Sequence, residues 1–190
     1  MIEIIIGTNR PGSNSKKVAA QILEIFKQQG TSAQILDLAE LPPDIFSPLA
    51  YAEKPAVFAT LSGRVLDASG LLIVSPEYNG GIPGVLKYFI DMLKFPESFE
   101  SKPVAFVGVS AGIWGALRPV EHLQQIFGYR NAFIYPARVF IPGVFQEIGT
   151  DGRLKSADLV QRLTEQAKGF TDFAARLNSG HKDAKTQSLV

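Results

Sequence analysis

Short apolar runs alternate with amphipathic stretches along most of the chain. Ile2 to Ile6 is a β-branched run and predicts a central strand buried on both faces. From about Ser15, apolar residues recur at helical spacing (Val18, Ala19, Ile22, Leu23, Phe26) until Gly30 ends the helix. Ala33 to Leu38 alternates as a second strand, and the prolines between Leu41 and Leu49 exclude a helix interior there. Pro55 suits a helix first turn, with Val57, Leu61, Val65 and Ala68 as the apolar stripe. Leu71 to Val74 predicts a third strand, and Pro83 then opens a helix that buries Val85, Leu86, Phe89, Ile90 and Leu93. Val104 to Val109 predicts a fourth strand, followed by an amphipathic helix with Leu117, Val120, Leu123 and Phe127. Ala132 to Tyr135 is a fifth strand, with Val139 to Ile141 as its extension or a separate short piece. Ser156 caps a last long helix bearing Leu159, Val160, Leu163, Ala167, Phe170, Ala174 and Leu177. After Asn178 the residues are polar and aperiodic, which predicts a loose tail over 179–190.

Strands alternating with helices predict an α/β protein whose parallel sheet is covered on both faces. The 190 residues suit one domain, residues 1–178, with a full core. An apolar fraction of 46% excludes a disordered chain, and no run of about 18 apolar residues offers a membrane span. The first residues enter a strand directly, without a basic region before a long apolar segment, so a cytoplasmic location is the default expectation. Nineteen basic and 18 acidic residues, with no basic block, point away from nucleic acid. The chain has no cysteine, which removes disulfides, thiolate catalysis and Cys-ligated metal centres. His122 and His181 stand in no metal-ligand spacing, so no metal is expected.

In such sheets ligands lie beyond the carboxyl ends of the strands. Strands one, three and four all end there in loops rich in glycine, hydroxyls and amides. The first, Gly7-Thr8-Asn9-Arg10-Pro11-Gly12-Ser13-Asn14-Ser15, leads into a helix N-terminus, whose free N–H groups and dipole suit a phosphate. A Walker A loop, G-x-x-x-x-G-K-S/T, is excluded because Ser13-Asn14 stand where the lysine and hydroxyl belong. A dinucleotide fingerprint, G-x-G-x-x-G, lacks its central glycine, although Asp37 lies where a ribose-binding acid would. The hydroxyls of Thr8, Ser13 and Ser15, with the fork of Arg10, suit the terminal phosphate of a mononucleotide. The plain alternative is a cap at Ser13 or Asn14 and a solvated Arg10. The second loop, Pro76-Glu77-Tyr78-Asn79-Gly80-Gly81, offers backbone groups, close approach and an aromatic ring to the edge of a flat heterocycle. The third adds Ser110, Ala111, Gly112 and Gly115, with Trp114 as an apolar wall. A phosphate at one end and a polar-edged ring at the other describe flavin mononucleotide (FMN).

The same residues carry a family resemblance. The chain resembles the NAD(P)H-dependent FMN reductases, a flavodoxin-like family that includes quinone, azo-dye and chromate reductases. The family's first loop, G-S-x-R-x-x-S-x-N, is similar to Gly7–Ser15. Its second, P-E-Y-N followed by P-G-x-L-K-N-x-I-D, is similar to Pro76-Glu77-Tyr78-Asn79 and Pro83-Gly84-Val85-Leu86-Lys87-Tyr88-Phe89-Ile90-Asp91. The likeness extends through Ser110-Ala111-Gly112 and Gly115 and covers roughly residues 1–175. It implies a flavodoxin-like three-layer sandwich with a five-stranded parallel sheet in the order 2-1-3-4-5. It implies that Thr8, Arg10, Ser13, Asn14 and Ser15 hold the FMN phosphate. Pro76, Glu77, Tyr78, Asn79 and Gly80 would line the isoalloxazine, and Ser110, Ala111 and Gly112 would lie along the ribityl chain and ring. Thr8 and Ser15 replace the family's Ser and Asn, and Tyr88 replaces an Asn on a helix near the subunit interface.

Hydride transfer from NAD(P)H to the flavin and on to a small-molecule acceptor is the implied activity, in a homodimer or dimer of dimers. The flavin would carry the chemistry, with no side chain as nucleophile. Backbone N–H groups between Tyr78 and Gly80 and near Gly112 would stabilise charge on the reduced ring. Glu77 reads as a structural carboxylate bonded to backbone, Trp114 equally as core or wall, and His122 as a surface or interface residue. Two rivals remain open at this point: a flavodoxin-like FMN electron carrier without nicotinamide turnover, and a flavin-free anion-binding module.

Overall fold

A computed structural model of the chain describes residues 1–187, the side chains of 180–187 excepted. The elements run β1 (Ile2–Ile6), α1 (Asn14–Gln28), β2 (Ala33–Asp37), α2 (Ala56–Asp67), β3 (Gly70–Pro76), α3 (Gly84–Met92), β4 (Pro103–Val109), α4 (Leu117–Tyr129), β5 (Phe133–Ile134), β6 (Val139–Ile141), α5 (Val144–Glu147) and α6 (Ala157–Gln187). The sheet is parallel with the order β2-β1-β3-β4-β5, as the flavodoxin-like expectation required. The chain crosses from one direction of winding to the other between β1 and β3, which opens the ligand crevice of such sheets.

The fifth strand is split. β5 pairs with Pro103 and Val104 of β4, and β6 pairs with Val107 to Val109 along the same edge. Pro136, between the two pieces, has no N–H to donate to the ladder, which accounts for the break. Short turns of 3-10 helix occupy the proline-rich stretch, over Pro43–Phe46 and Pro48–Tyr51, each begun by its proline.

Alternation along the strands divides the core into two layers. Ile2, Ile4 and Ile6 face Val18, Ile22 and Phe26 of α1 and Leu163 and Phe170 of α6. Ile5, Leu71, Ile73 and Phe106 face Phe58, Leu61 and Val65 of α2, Leu86 and Phe89 of α3, and Val120, Leu123 and Phe127 of α4. One expectation is corrected here. Val57 lies half exposed, and Phe58 beside it is buried with Leu61 and Val65. Both residues fit the helical period with Leu61 and Val65, and the larger apolar surface takes the core position. β1 also carries a buried charge: Glu3 is 1% exposed, held by Gln34 Nε2 at 2.7 Å and by an ion pair with Arg64 of α2. Burial raises its pKa above the ordinary carboxylate range, against the opposing pull of Arg64 and Gln34.

The cap on α6 is as expected, with the Leu159 N–H donating to Ser156 Oγ at 3.3 Å. That helix runs to Gln187, past Asn178. The expected loose tail over 179–190, with His181, falls almost wholly outside the described side chains.

Candidate functional site

β1 meets the first loop through Gly7, whose N–H donates to Val74 O on β3 at 2.9 Å. A Cβ on Gly7 would stand 2.9 Å from that oxygen and from Leu86 Cδ2, so a glycine is what lets the loop start so close to β3. Ser13 is extended (φ −61°, ψ 148°) and caps α1, its Oγ accepting from the Lys16 N–H at 3.2 Å. Lys17 N–H donates to Ser13 O, while the N–H groups of Asn14 and Ser15 have no intrahelical acceptor. They open, with the positive end of the dipole, into a cleft of about 480 Å³.

That cleft is walled by Arg10 to Ser15 on one side and by Pro76, Glu77, Tyr78, Ser110 and Ala111 on the other. A second hollow of about 300 Å³ shares Glu77, Ser110 and Ala111 and continues along Asn79, Gly80, Gly112 and Trp114. Twelve of the thirteen site residues expected from the sequence therefore line one continuous depression at the carboxyl edge of the sheet. Thr8 is the exception. It is 1% exposed, and its Oγ1 accepts from the Arg10 N–H at 3.2 Å and shares a 2.8 Å hydrogen bond with Tyr78 Oη.

The second loop is a two-residue hairpin. Tyr78 and Gly81 exchange both backbone hydrogen bonds (3.1 and 3.0 Å), with Asn79 at φ 52° and Gly80 at φ 77° between them. Two successive positive φ values make this a primed turn, for which Asn-Gly is the favoured dipeptide. The Tyr78 N–H is thus used inside the hairpin, which corrects the expectation that it faces a ligand; the amides of Asn79 and Gly80 are the ones left for that role. In the third loop Ser110 Oγ donates to Gly112 O at 3.0 Å and closes the loop on itself.

Several cleft residues escaped the sequence expectation. Arg118, in the first turn of α4, reaches Glu77 at 3.5 Å, so the carboxylate is set by this arginine, in place of the backbone partner expected for its side chain. Lys17 adds a second cation beside Arg10, and Phe145 on α5 is a 68% exposed aromatic at the rim. Trp114 is a wall, 59% exposed, and not core. Asp37, the tempting ribose acid, is occupied: its Oδ1 accepts from the Ala39 N–H at 3.0 Å and its Oδ2 from Lys16 Nζ at 2.8 Å. The pair holds the Lys16 ammonium above its ordinary pKa. His122 lies in a different groove, between α3 and α4. Among the described residues no cluster of His, Cys, Asp or Glu could hold a metal, and no helix is long and apolar enough to cross a membrane.

A family model described as NADPH-dependent FMN reductase matches residues 1–146. The chain belongs to that family. It is similar to a quinone reductase of Escherichia coli strain K12, with 29% identity over 179 residues, covering 91% of this chain and 94% of that protein. It is also similar to an FMN-dependent NADPH-azoreductase of Staphylococcus aureus strain USA300, with 32% identity over 130 residues, covering 65% and 66% of the two chains. Among solved structures, the flavoenzyme FerB of Paracoccus denitrificans, an NAD(P)H:(acceptor) oxidoreductase, shares the fold at a TM-score of 0.78 and 21% identity, covering 92% of this chain and 97% of that one.

As a member of the FMN reductase family, the protein is an FMN-dependent oxidoreductase that draws on NAD(P)H. The donor set fits that cofactor. At one end of the depression stand a helix start, Ser13, Arg10 and Lys17, which suit a phosphate bearing nearly two charges. At the other end the Asn79-Gly80 turn is uncharged, and the charge of Glu77 is offset by Arg118.

Proposed function

We propose that this depression holds FMN with its phosphate on the first turn of α1 and its ring between the second and third loops, within one flavin-binding unit over residues 1–178, and that the enzyme reduces quinone-type acceptors. The observation that carries this reading is the shared wall: Glu77, Ser110 and Ala111 border both the basic cleft and the neutral hollow. A single elongated ligand with a charged tail and a flat head is the species that fills both.

In this reading the Ser13 hydroxyl, which accepts from Lys16 N–H, still has its own proton to give to a phosphate oxygen. Arg10 and Lys17 supply charge, and the open amides of Asn14 and Ser15 supply directed donors. When bound, the flavin supplies the relay of a hydride from the nicotinamide to the acceptor. The protein's part is placement and polarity. The amides of Asn79 and Gly80 would hold the ring's polar edge, where fixed N–H dipoles would favour added negative charge. Trp114 and Phe145 present exposed aromatic faces at the rim, against which a flat acceptor can stack. No side chain is assigned acid–base work: Glu77 is paired with Arg118, and His122 is outside the cleft.

The proposal includes a homodimer or dimer of dimers and a cytoplasmic location, the compartment that supplies reduced nicotinamide. Self-association is supported by the groove of about 430 Å³ between α3 and α4, where Phe95 and Tyr129 stand 59% and 80% exposed. Light scattering on the purified protein reads the mass directly, and a monomer would remove that part. For the function, purified protein is titrated with FMN by absorbance, then assayed for NAD(P)H oxidation with 1,4-benzoquinone. Bound flavin with steady quinone turnover is expected. Bound flavin without turnover of the quinone would sink the quinone reading.

A further inference from the structure

We propose that Thr8 is not a phosphate ligand but the fixed half of a latch, its hydroxyl pairing with Tyr78 Oη to tie the phosphate loop to the ring loop. The inference rests on the proposed FMN site and concerns how its two halves are held in register.

Thr8 sits just past the end of β1, and its N–H donates to Ile6 O at 2.8 Å, closing a tight three-residue turn off the central strand. Its side chain is buried and lines neither the cleft nor the hollow. A threonine hydroxyl has one proton and two lone pairs. One lone pair takes the Arg10 N–H at 3.2 Å, and the hydrogen bond to Tyr78 Oη at 2.8 Å takes either the second lone pair or the proton. A phosphate oxygen can only accept, so it could reach Thr8 only through that proton. The group is 1% exposed and lines neither the cleft nor the hollow, so that proton is not offered to a ligand there.

The partner is held just as firmly. Tyr78 is the first residue of the hairpin, with both its backbone groups bonded to Gly81. Its hydroxyl reaches 70 residues back along the chain to Thr8. The bond therefore spans the switch point between β1 and β3 and joins the loop that grips a phosphate to the loop that faces a ring. The same oxygen accepts the Arg10 N–H, so the latch also sets the loop backbone from which the cleft's arginine projects. Thr8 is thus a positioning residue for both subsites, and its loss should be felt at the ring as much as at the phosphate.

Riboflavin, which has the ring but no phosphate, separates the two roles. Thr8→Val, Tyr78→Phe, the double variant and Thr8→Ser are each titrated with FMN and with riboflavin, and each is unfolded in urea without flavin. The latch predicts that Thr8→Val, which removes both bonds of the hydroxyl, weakens both flavins by the same factor, about five- to a hundredfold. Tyr78→Phe, which leaves the Arg10 N–H its acceptor, should also weaken both flavins equally and by no more than Thr8→Val. The double variant should be no weaker than Thr8→Val, and Thr8→Ser, which keeps the hydroxyl, should bind like wild type. In urea without flavin the two single losses should again fail to add. Loss of FMN affinity with riboflavin unmoved would make Thr8 a phosphate ligand after all. Additive losses in urea would show that the two hydroxyls are uncoupled. Either result overturns the latch while wild-type FMN binding keeps the proposed site. Wild-type protein that binds neither flavin removes the site and the positioning role together.

Discussion

The grip on the phosphate can be tested by separating two uses of one oxygen. Ser13 Oγ caps α1 by accepting the Lys16 N–H, and in the proposed site its proton goes to the phosphate. Ser13→Asp keeps the first use and removes the second. Aspartate is as good an N-cap as serine, so the flavin-free protein should unfold in urea within about 0.5 kcal/mol of wild type. Ser13→Ala, by contrast, should lose about 1 kcal/mol of stability with the cap.

Binding should move the other way round in size. Both substitutions remove a hydrogen bond to a charged group, worth about 1.5–3 kcal/mol, or roughly ten- to a hundredfold in Kd. Aspartate adds repulsion. Two unit charges about 4 Å apart in water repel by about 1 kcal/mol, so a phosphate with nearly two charges meets about 2 kcal/mol even at full screening by water. Together these predict that Ser13→Asp weakens FMN by at least about 3.5 kcal/mol, several hundredfold. Riboflavin binding should stay close to wild type in both variants. Fluorescence titration with each flavin reads this directly. If Ser13→Asp binds FMN as tightly as wild type, the phosphate is not on the first turn of α1.

Other substitutions test the fold that carries the site. Phe58→Ala should cost about 3–5 kcal/mol in urea unfolding, while Val57→Ala stays within about 0.5 kcal/mol; equal costs would contradict the observed face of α2. Gly80→Ala meets nothing within 4 Å of its new Cβ, so its cost is backbone alone, about 1 kcal/mol, and Gly80→Asn should recover much of it because asparagine tolerates positive φ. An undamaged alanine variant would rule out the primed turn. Glu3 gives a pH signature. Its native pKa is raised by burial, so the folded state holds the proton more tightly than the unfolded one, and stability from this group is present at low pH and falls as pH rises through the raised value. Urea midpoints compared between wild type and Glu3→Gln across about pH 4 to 7 should show that falling component only in wild type. A component that rises with pH would mean Arg64 and Gln34 outweigh burial.

The strands and the three loops at their carboxyl ends were legible because a doubly buried strand reads as a near-continuous apolar run, and its polar end then announces itself. Ile2–Ile6 into Thr8, Leu71–Val74 into Glu77 and Val104–Val109 into Ser110 all follow that rule. The face of α2 was not legible, since Val57 and Phe58 both keep period with Leu61 and Val65. The split of the fifth strand was available in Pro136, whose missing N–H cannot serve a ladder. Arg118 and Phe145 left no local signal at all. Their place on the site depends on where α4 and α5 pack against β4, a tertiary fact that no spacing along the chain encodes. Glu3 stood in plain sight inside an apolar run, and only the partner Arg64, 61 residues away, explains how the strand tolerates it.

Thr8 shows the same limit from the other side. By residue type and position it belongs with Ser13 and Ser15 as a phosphate donor, and the sequence offers nothing to set it apart. What sets it apart is its burial off the cleft lining together with its bond to Tyr78, visible only once the two loops are seen across the switch point. Two loops built on different strands have no covalent reason to hold a fixed separation, yet a ligand gripped at both ends binds best when the two grips are already in register. Side-chain bonds between such loops are therefore to be sought first among the hydroxyls that a motif assigns to the ligand, because those are the polar groups already at the seam. In the proposed site the helix end grips, the hairpin presents, and the Thr8–Tyr78 hydroxyl pair keeps the distance between them.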